Sequence, residues 1–181
     1  EKLTGQPLIY AALGTLQNRK PEIFECIAQA CIDLEAQLVI SLGIPDSKDY
    51  DMKLPGSPIV VPFAPQQQLI DKAALVVTHA GMNTTLGALS SGVPMVAIPI
   101  TSEQPGIAAR TAWNGAGEAI ALKKLSASFL RETIKRVLTE DSYKQNALRL
   151  QTAIRNAGGV KRAADIIEEA VYTQEPVLVN R

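Results

Sequence analysis

The residues with chemistry to offer gather at four places in this chain: Gly14-Thr15, Phe63 to Gln66, His79 to Thr85, and Glu103-Gln104. The third place is the most telling. His79 is the only histidine, and it stands where the apolar run Leu75 to Thr78 gives way to a helix-forming stretch. The strand breaks at Ala80-Gly81. Asn83, Thr84 and Thr85 then supply cap-type side chains where the new helix has unpaired N–H groups. Free N–H groups and the positive end of a helix dipole aimed at one spot make an anion site, and His79 can add a donor to it.

Two other features have the residue types for chemistry but not the pattern. Asp49-Tyr50-Asp51 spells D-x-D in a polar loop, yet hard cations want several carboxylates, so no metal is expected there. Cys26 and Cys31 lie five apart within one helical stretch and belong to no CxxC or Cys/His cluster. They read as reduced thiols in or near the core of a cytoplasmic protein.

The elements that must position these residues follow from periodicity. Short apolar runs at 7–13, 37–41, 59–61, 75–78, 95–98 and 118–122 read as strands. Between them, Ile23, Ile27, Ala30 and Leu34 recur at helical spacing from Pro21 to Glu35, with proline at a suitable first helical position. A brief helix is expected at 66–70, one beginning near Asn83, and one at 104–113. Residues 45–57 form a surface loop rich in Asp, Lys, Pro and Gly. Three more helical segments close the chain, marked by Leu130, Ile134 and Val137, then Ala147, Leu150 and Ile154, then Val160, Ala163, Ile167 and Val171. Residues 1–6 read as a linker and 173–181 as a tail.

Strands alternating with helices predict an α/β, Rossmann-like parallel sheet of about six strands with helices on both faces. Ligands of such sheets bind outside the carboxyl ends of the strands. All four places named above fall at those ends, so four loops converge on one edge.

Composition narrows the classes of partner. The 181 residues suffice for one well-buried core, with 46% apolar and 20% charged residues. Lys plus Arg and Asp plus Glu number 18 each, and no basic patch rises above the background, so nucleic acid is not an expected partner. No signal peptide is visible, and no apolar run approaches the roughly 20 residues of a membrane span.

The ordered set F-A-P-Q (63–66), H-A-G-M-N-T-T (79–85), G-V-P-M (92–95) and E-Q (103–104) resembles the donor-binding signature of UDP-dependent glycosyltransferases of the two-domain GT-B type. E-Q-P-G-I-A-A-R and N-A-G-G-V-K-R-A-A-D-I-I-E are similar to bacterial zeaxanthin (carotenoid) glucosyltransferases. The resemblance implies that residues 1–181 are the C-terminal, donor-binding half of such an enzyme, and that an N-terminal acceptor domain is absent. Phe63 would stack on the uracil, backbone groups at Ala64 would read the base edge, and Gln66 would reach the ribose. His79 would contact the diphosphate with Gly81, Asn83 and Thr84, while Gly14 and Thr15 would close over it. Glu103 and Gln104 would hold hydroxyls of the donor sugar.

The same resemblance implies transfer of a hexose, with glucose expected, from UDP to a hydroxyl of a small lipophilic acceptor such as a carotenoid. The acceptor and the general base would belong to the absent domain, leaving no catalytic residue here and this fragment inactive alone. Association of the full-length enzyme with a membrane surface would fit such an acceptor. No cofactor or metal is expected, because fixed dipoles and donors can stabilise the leaving diphosphate.

One position departs from the pattern. The family commonly places a ribose-clamping Glu four residues after the Asn, and here that position is Gly87. Ribose recognition is then weaker, supplied elsewhere, or relaxed towards another nucleotide. A non-catalytic nucleotide-sugar binding module and half of a UDP-sugar epimerase remain alternatives.

Overall fold

Six apolar runs pair into a single sheet in the computed structural model, which describes residues 3–17, 20–44 and 52–178. The strands are β1 (Leu8–Ala12), β2 (Gln37–Ser41), β3 (Ile59–Val61), β4 (Ala73–Thr78), β5 (Met95–Ala97) and β6 (Gly117–Ala119). All pair in parallel, in the order β3-β2-β1-β4-β5-β6. The order reverses between β1 and β4, so the loops after these two strands part and leave a crevice.

Helices cover both faces because side chains alternate along each strand. Ile9 and Ala11 of β1 pack in one core with Leu38, Ile40, Leu75 and Val77, under α1 (Pro21–Cys31) and α5 (Ala127–Thr139). Leu8, Tyr10 and Ala12 pack in the other with Val39, Val76 and Met95, under α2 (Gln66–Ile70) and α3 (Met82–Ser90). The helix α4 (Gln104–Trp113) follows β5 and contacts β6 and α3. At the sheet edge, Arg136 Nη2 on α5 donates to Glu118 Oε2 at 2.8 Å, and the Tyr143 hydroxyl on α6 (Asp141–Asn156) donates to Glu118 Oε1 at 2.7 Å. One carboxylate thus ties two helices to β6.

Several boundaries differ from the sequence expectation, each for a local reason. The first helix stops at Cys31 rather than Glu35, because Asp33 adopts φ 62°, which ends the helical run. The sixth strand spans 117–119 rather than 118–122. Its sole neighbour, β5, offers three residues, and the chain then enters a 3-10 turn at Leu122–Lys124. The third closing helix, α7 (Gly159–Thr173), forms as expected, but none of its residues is buried, and Val160, Ile167, Val171 and Tyr172 are exposed. Asp49-Tyr50-Asp51 lies outside the described residues. Among the described residues no helix is long and apolar enough to cross a membrane.

Candidate functional site

At the carboxyl ends of the strands the structure opens into a cavity of about 540 Å³. Every residue given a donor-binding role from the sequence lines it, while Thr85 does not: Gly14 and Thr15 after β1, Phe63, Ala64 and Gln66 after β3, His79, Gly81, Asn83 and Thr84 after β4, and Glu103 and Gln104 after β5. Residues up to 90 positions apart meet in one concavity.

The local conformation at β4 explains how His79 is placed. Ala80 takes φ 65° with its side chain fully buried, a conformation that costs a non-glycine residue on the order of 1 kcal/mol. The imidazole of His79 lies close to Gly14 and Gly81. A Cβ at Gly81 would lie 2.5 Å from His79 Nε2, and one at Gly14 would lie 2.9 Å from Cε1. The two glycines therefore form the slot that holds the ring. The missing side chain of Gly81 thus makes room for the imidazole.

His79 donates to the Ala12 backbone carbonyl, and its Nδ1 lies 3.5 Å from the Thr78 hydroxyl. Burial pulls its pKa below the usual histidine value, against the opposing pull of the Ala12 carbonyl and the Glu103 carboxylate. That direction favours the uncharged ring.

The start of α3 differs in detail from expectation. The helix begins at Met82, and its N-cap is Gly81, which has no side chain to cap with. Thr85 N–H makes the first helical bond, to Gly81 O at 3.0 Å, so the N–H groups of Met82, Asn83 and Thr84 have no backbone partner among the described residues. Asn83 and Thr84 line the cavity from inside the first turn rather than capping it. Thr84 Oγ1 instead donates to Gln66 Oε1 over a long 3.4 Å, linking two of the four loops. The uncapped helix end faces the same cavity as the imidazole.

On the far side, Gln104 is only 5% exposed, and its Oε1 accepts from Ile100 N–H at 2.8 Å and Thr101 N–H at 3.0 Å. Its oxygen holds the loop after β5 in shape, which leaves its amide N–H groups for a ligand. Glu103 beside it is exposed and is the one carboxylate lining the cavity among the described residues. Phe63 is 56% exposed, a large ring held at the cavity edge rather than in either core.

Sequence reasoning missed the floor of the site. Tyr10 is buried with its phenol hydrogen-bonded to Ser41, and burial raises its pKa. Both line the cavity, as does Gly43, where a Cβ would strike the Gly14 carbonyl. Ser41 was findable as the last residue of a strand, but Tyr10 sits inside an apolar run and gives no such signal. Gly87 lies further along α3, outside the cavity lining. A Cβ there would sit 3.0 Å from Gln67 Oε1, whose Nε2 donates to Asp71 and Ser91 at 2.9 Å each. Among the described residues no three His, Cys, Asp or Glu side chains come together.

The chain as a whole is similar to known proteins. The zeaxanthin glucosyltransferase of Pantoea ananas is 36% identical over 175 residues, covering 96% of this chain and 40% of the relative. The solved glycotransferase of kitacinnamycin superimposes with a TM-score of 0.83 at 26% identity, over 93% of this chain and 44% of that one. The calicheamicin glycosyltransferase CalG4 gives 0.81 at 26% identity, over 95% and 45%. The chain thus spans less than half the length of these relatives. The family described as UDP-glucoronosyl and UDP-glucosyl transferase matches residues 5–163, and the chain belongs to it.

Proposed function

We propose that this chain is the nucleotide-sugar donor-binding half of a glycosyltransferase that moves a hexose, with glucose expected, from UDP to the hydroxyl of a small lipophilic acceptor. The observation that carries the reading is the convergence of four loop tips and one uncapped helix end on a single cavity. The acceptor oxygen attacks the sugar C1, the bond from C1 to the diphosphate oxygen breaks, and UDP departs. The hydroxyl proton passes to a base in the half of the enzyme that this chain does not contain.

Each residue then has a task that fits its surroundings. Phe63 offers an exposed ring for the uracil, Ala64 its backbone for the base edge, and Gln66 its amide N–H groups for the ribose. The N–H groups at the start of α3, with His79, Asn83 and Thr84, take the diphosphate, and the Gly14-Thr15 loop closes over it. Charge building on the leaving group is met by these fixed donors, which need no reorganisation as the bond breaks. Glu103 and the amide of Gln104 hold sugar hydroxyls. A carotenoid acceptor is suggested by the likeness to zeaxanthin glucosyltransferases. An epimerase would need acid and base carboxylates in the cavity, and among the described residues Glu103 stands there alone.

Calorimetric titration with UDP, TDP and ADP tests the reading. UDP is expected to bind at least tenfold more tightly than ADP, in line with the UDP-sugar transferase family to which the chain belongs. Absence of heat with all three would overturn it.

A further inference from the structure

We infer that Ser91, at the end of α3 remote from the cavity, is a positioning residue for the donor. With Gln67 and Asp71 it clasps α2 to α3, and so fixes the span between the base-binding turn and the diphosphate-binding helix start. The inference rests on the donor-binding reading above and adds to it a group outside the cavity.

UDP is two ligands on one tether. In that reading its base lies on Phe63 and Ala64 and its diphosphate at the first turn of α3, so its two ends are held by different elements. A tethered ligand gains from both ends only where the span between the subsites is held to its own length. The diphosphate end stands on a well-anchored helix. Lys144 Nζ and Gln151 Nε2 on α6 donate to the Gly92 and Ser90 carbonyls at the close of α3, at 2.7 and 2.9 Å. The base end is held more lightly. It hangs between β3, an edge strand of three half-buried residues, and α2, five residues long with Ile70 its buried one.

Three side chains behind the cavity make up the difference. Ser91 Oγ donates to Asp71 Oδ1 at 2.6 Å, and Gln67 Nε2 donates to Asp71 Oδ1 and to Ser91 Oγ at 2.9 Å each, which closes a ring. Gln67 and Asp71 both belong to α2, Asp71 as its C-cap. Ser91, the C-cap of α3, is therefore the member that joins the two helices. Gly87, one turn earlier on α3, lets them approach, since a Cβ there would lie 3.0 Å from Gln67 Oε1 and 3.4 Å from Ile70 Cδ1. At the cavity end the same helices share the long Thr84–Gln66 contact. Gln66 and Gln67 are adjacent, so the base-binding turn is fastened directly in front of the clasp. Asp71 stands at the carboxyl ends of both helices, where their dipoles disfavour a carboxylate. Its hydrogen bonds from Ser91 and Gln67 nevertheless hold the carboxyl below its ordinary pKa.

Gln67, Asp71 and Ser91 do not line the cavity, so a change in binding on substitution is not a lost ligand contact. The experiment measures UDP by calorimetry and uridine by amide-shift titration, on the parent chain, Ser91→Ala and Ser91→Thr. In Ser91→Ala both subsites remain but their span is released, so uridine affinity should stay within about twofold while UDP affinity falls about fivefold or more. Ser91→Thr keeps the hydroxyl and should keep UDP affinity. Adding Gln67→Ala to Ser91→Ala should cost little more, because both act through one ring of hydrogen bonds. An unchanged UDP affinity in Ser91→Ala, with a lowered melting temperature alone, would overturn the inference, and so would equal losses for uridine and UDP. In both cases UDP still binds the parent chain and the donor reading stands. A parent chain that binds neither ligand would overturn both.

Discussion

His79 shows how much of this site depends on what is missing around a side chain. The ring fits only because residues 14 and 81 lack a Cβ, and the two glycines differ in what substitution does to them. Gly14 has φ 72°, so alanine there strains the backbone as well as striking the ring. Gly81 has φ −65° and ψ 140°, which any residue adopts. Gly81→Ala is therefore expected to fold normally while pushing the imidazole from its slot. UDP affinity should fall by about tenfold or more, the scale of one charge-assisted hydrogen bond. Thermal melting and UDP calorimetry on the same sample check both halves of that statement. By contrast, Phe63→Ala should weaken uridine and UDP alike, by about 1–3 kcal/mol, the range of a base–aromatic stack. Unchanged uridine affinity would remove the stacking role.

The sequence exposed these residues unevenly, for physical reasons. His79, Glu103 and Phe63 were legible because strand ends in a parallel sheet point to one edge, and they follow strand ends. Tyr10 was not, since its pattern is that of a core residue and only the tertiary fold puts it under the cavity. That Gly81 also makes room for the imidazole was not legible, because residue types do not show how closely the ring approaches that backbone.

At the level of elements, the site is a property of α3 and the strands beside it. The helix brings its first turn to the cavity uncapped, which costs stability in the empty state and is recovered when an anion supplies the missing acceptors. Its boundary was displaced from the expected Asn83 start because capping residues attract the eye, while the actual N-cap is a glycine whose side-chain space holds the imidazole. Further out, β6 is short, and its attachment relies on Glu118 as the shared acceptor of Arg136 and Tyr143. The Arg136 hydrogen bond, chiefly, holds the Glu118 carboxyl below its ordinary pKa. A carboxyl whose folded-state pKa is depressed contributes stability above its unfolded value, near 4.5, and loses it as pH falls through the folded value. Glu118→Gln should thus lower the urea midpoint at pH 7, by an amount equivalent to about 1 kcal/mol or less for so exposed a pair. The difference from the parent chain should shrink towards pH 3. A difference independent of pH would assign the loss to packing instead.

For the whole molecule, the parallel α/β fold and the edge that carries the cavity were readable from alternation, since a chain of this composition has few other ways to bury six apolar runs. The amphipathic face of α7 was readable too, yet none of its residues is buried within the described chain. The chain spans 40% of the zeaxanthin glucosyltransferase it matches, and the proposed reaction needs a base and an acceptor site that the donor cavity does not provide. The isolated chain should therefore bind donor without transferring sugar. Turnover of UDP-glucose to a glucoside by these 181 residues alone would refute the division of labour. Because the leaving charge is assigned to fixed donors, excess EDTA should leave UDP affinity unchanged, and a loss on chelation would transfer that role to a cation.

The convergence of four loops on one diphosphate is tested most directly by the backbone amide spectrum of the labelled chain during addition of UDP-glucose. The account predicts that the largest shifts fall on Gly14, Ala64, Gly81 to Thr84 and Glu103, all saturating with a single dissociation constant. Shifts confined to other surfaces, or none at saturating donor, would contradict it.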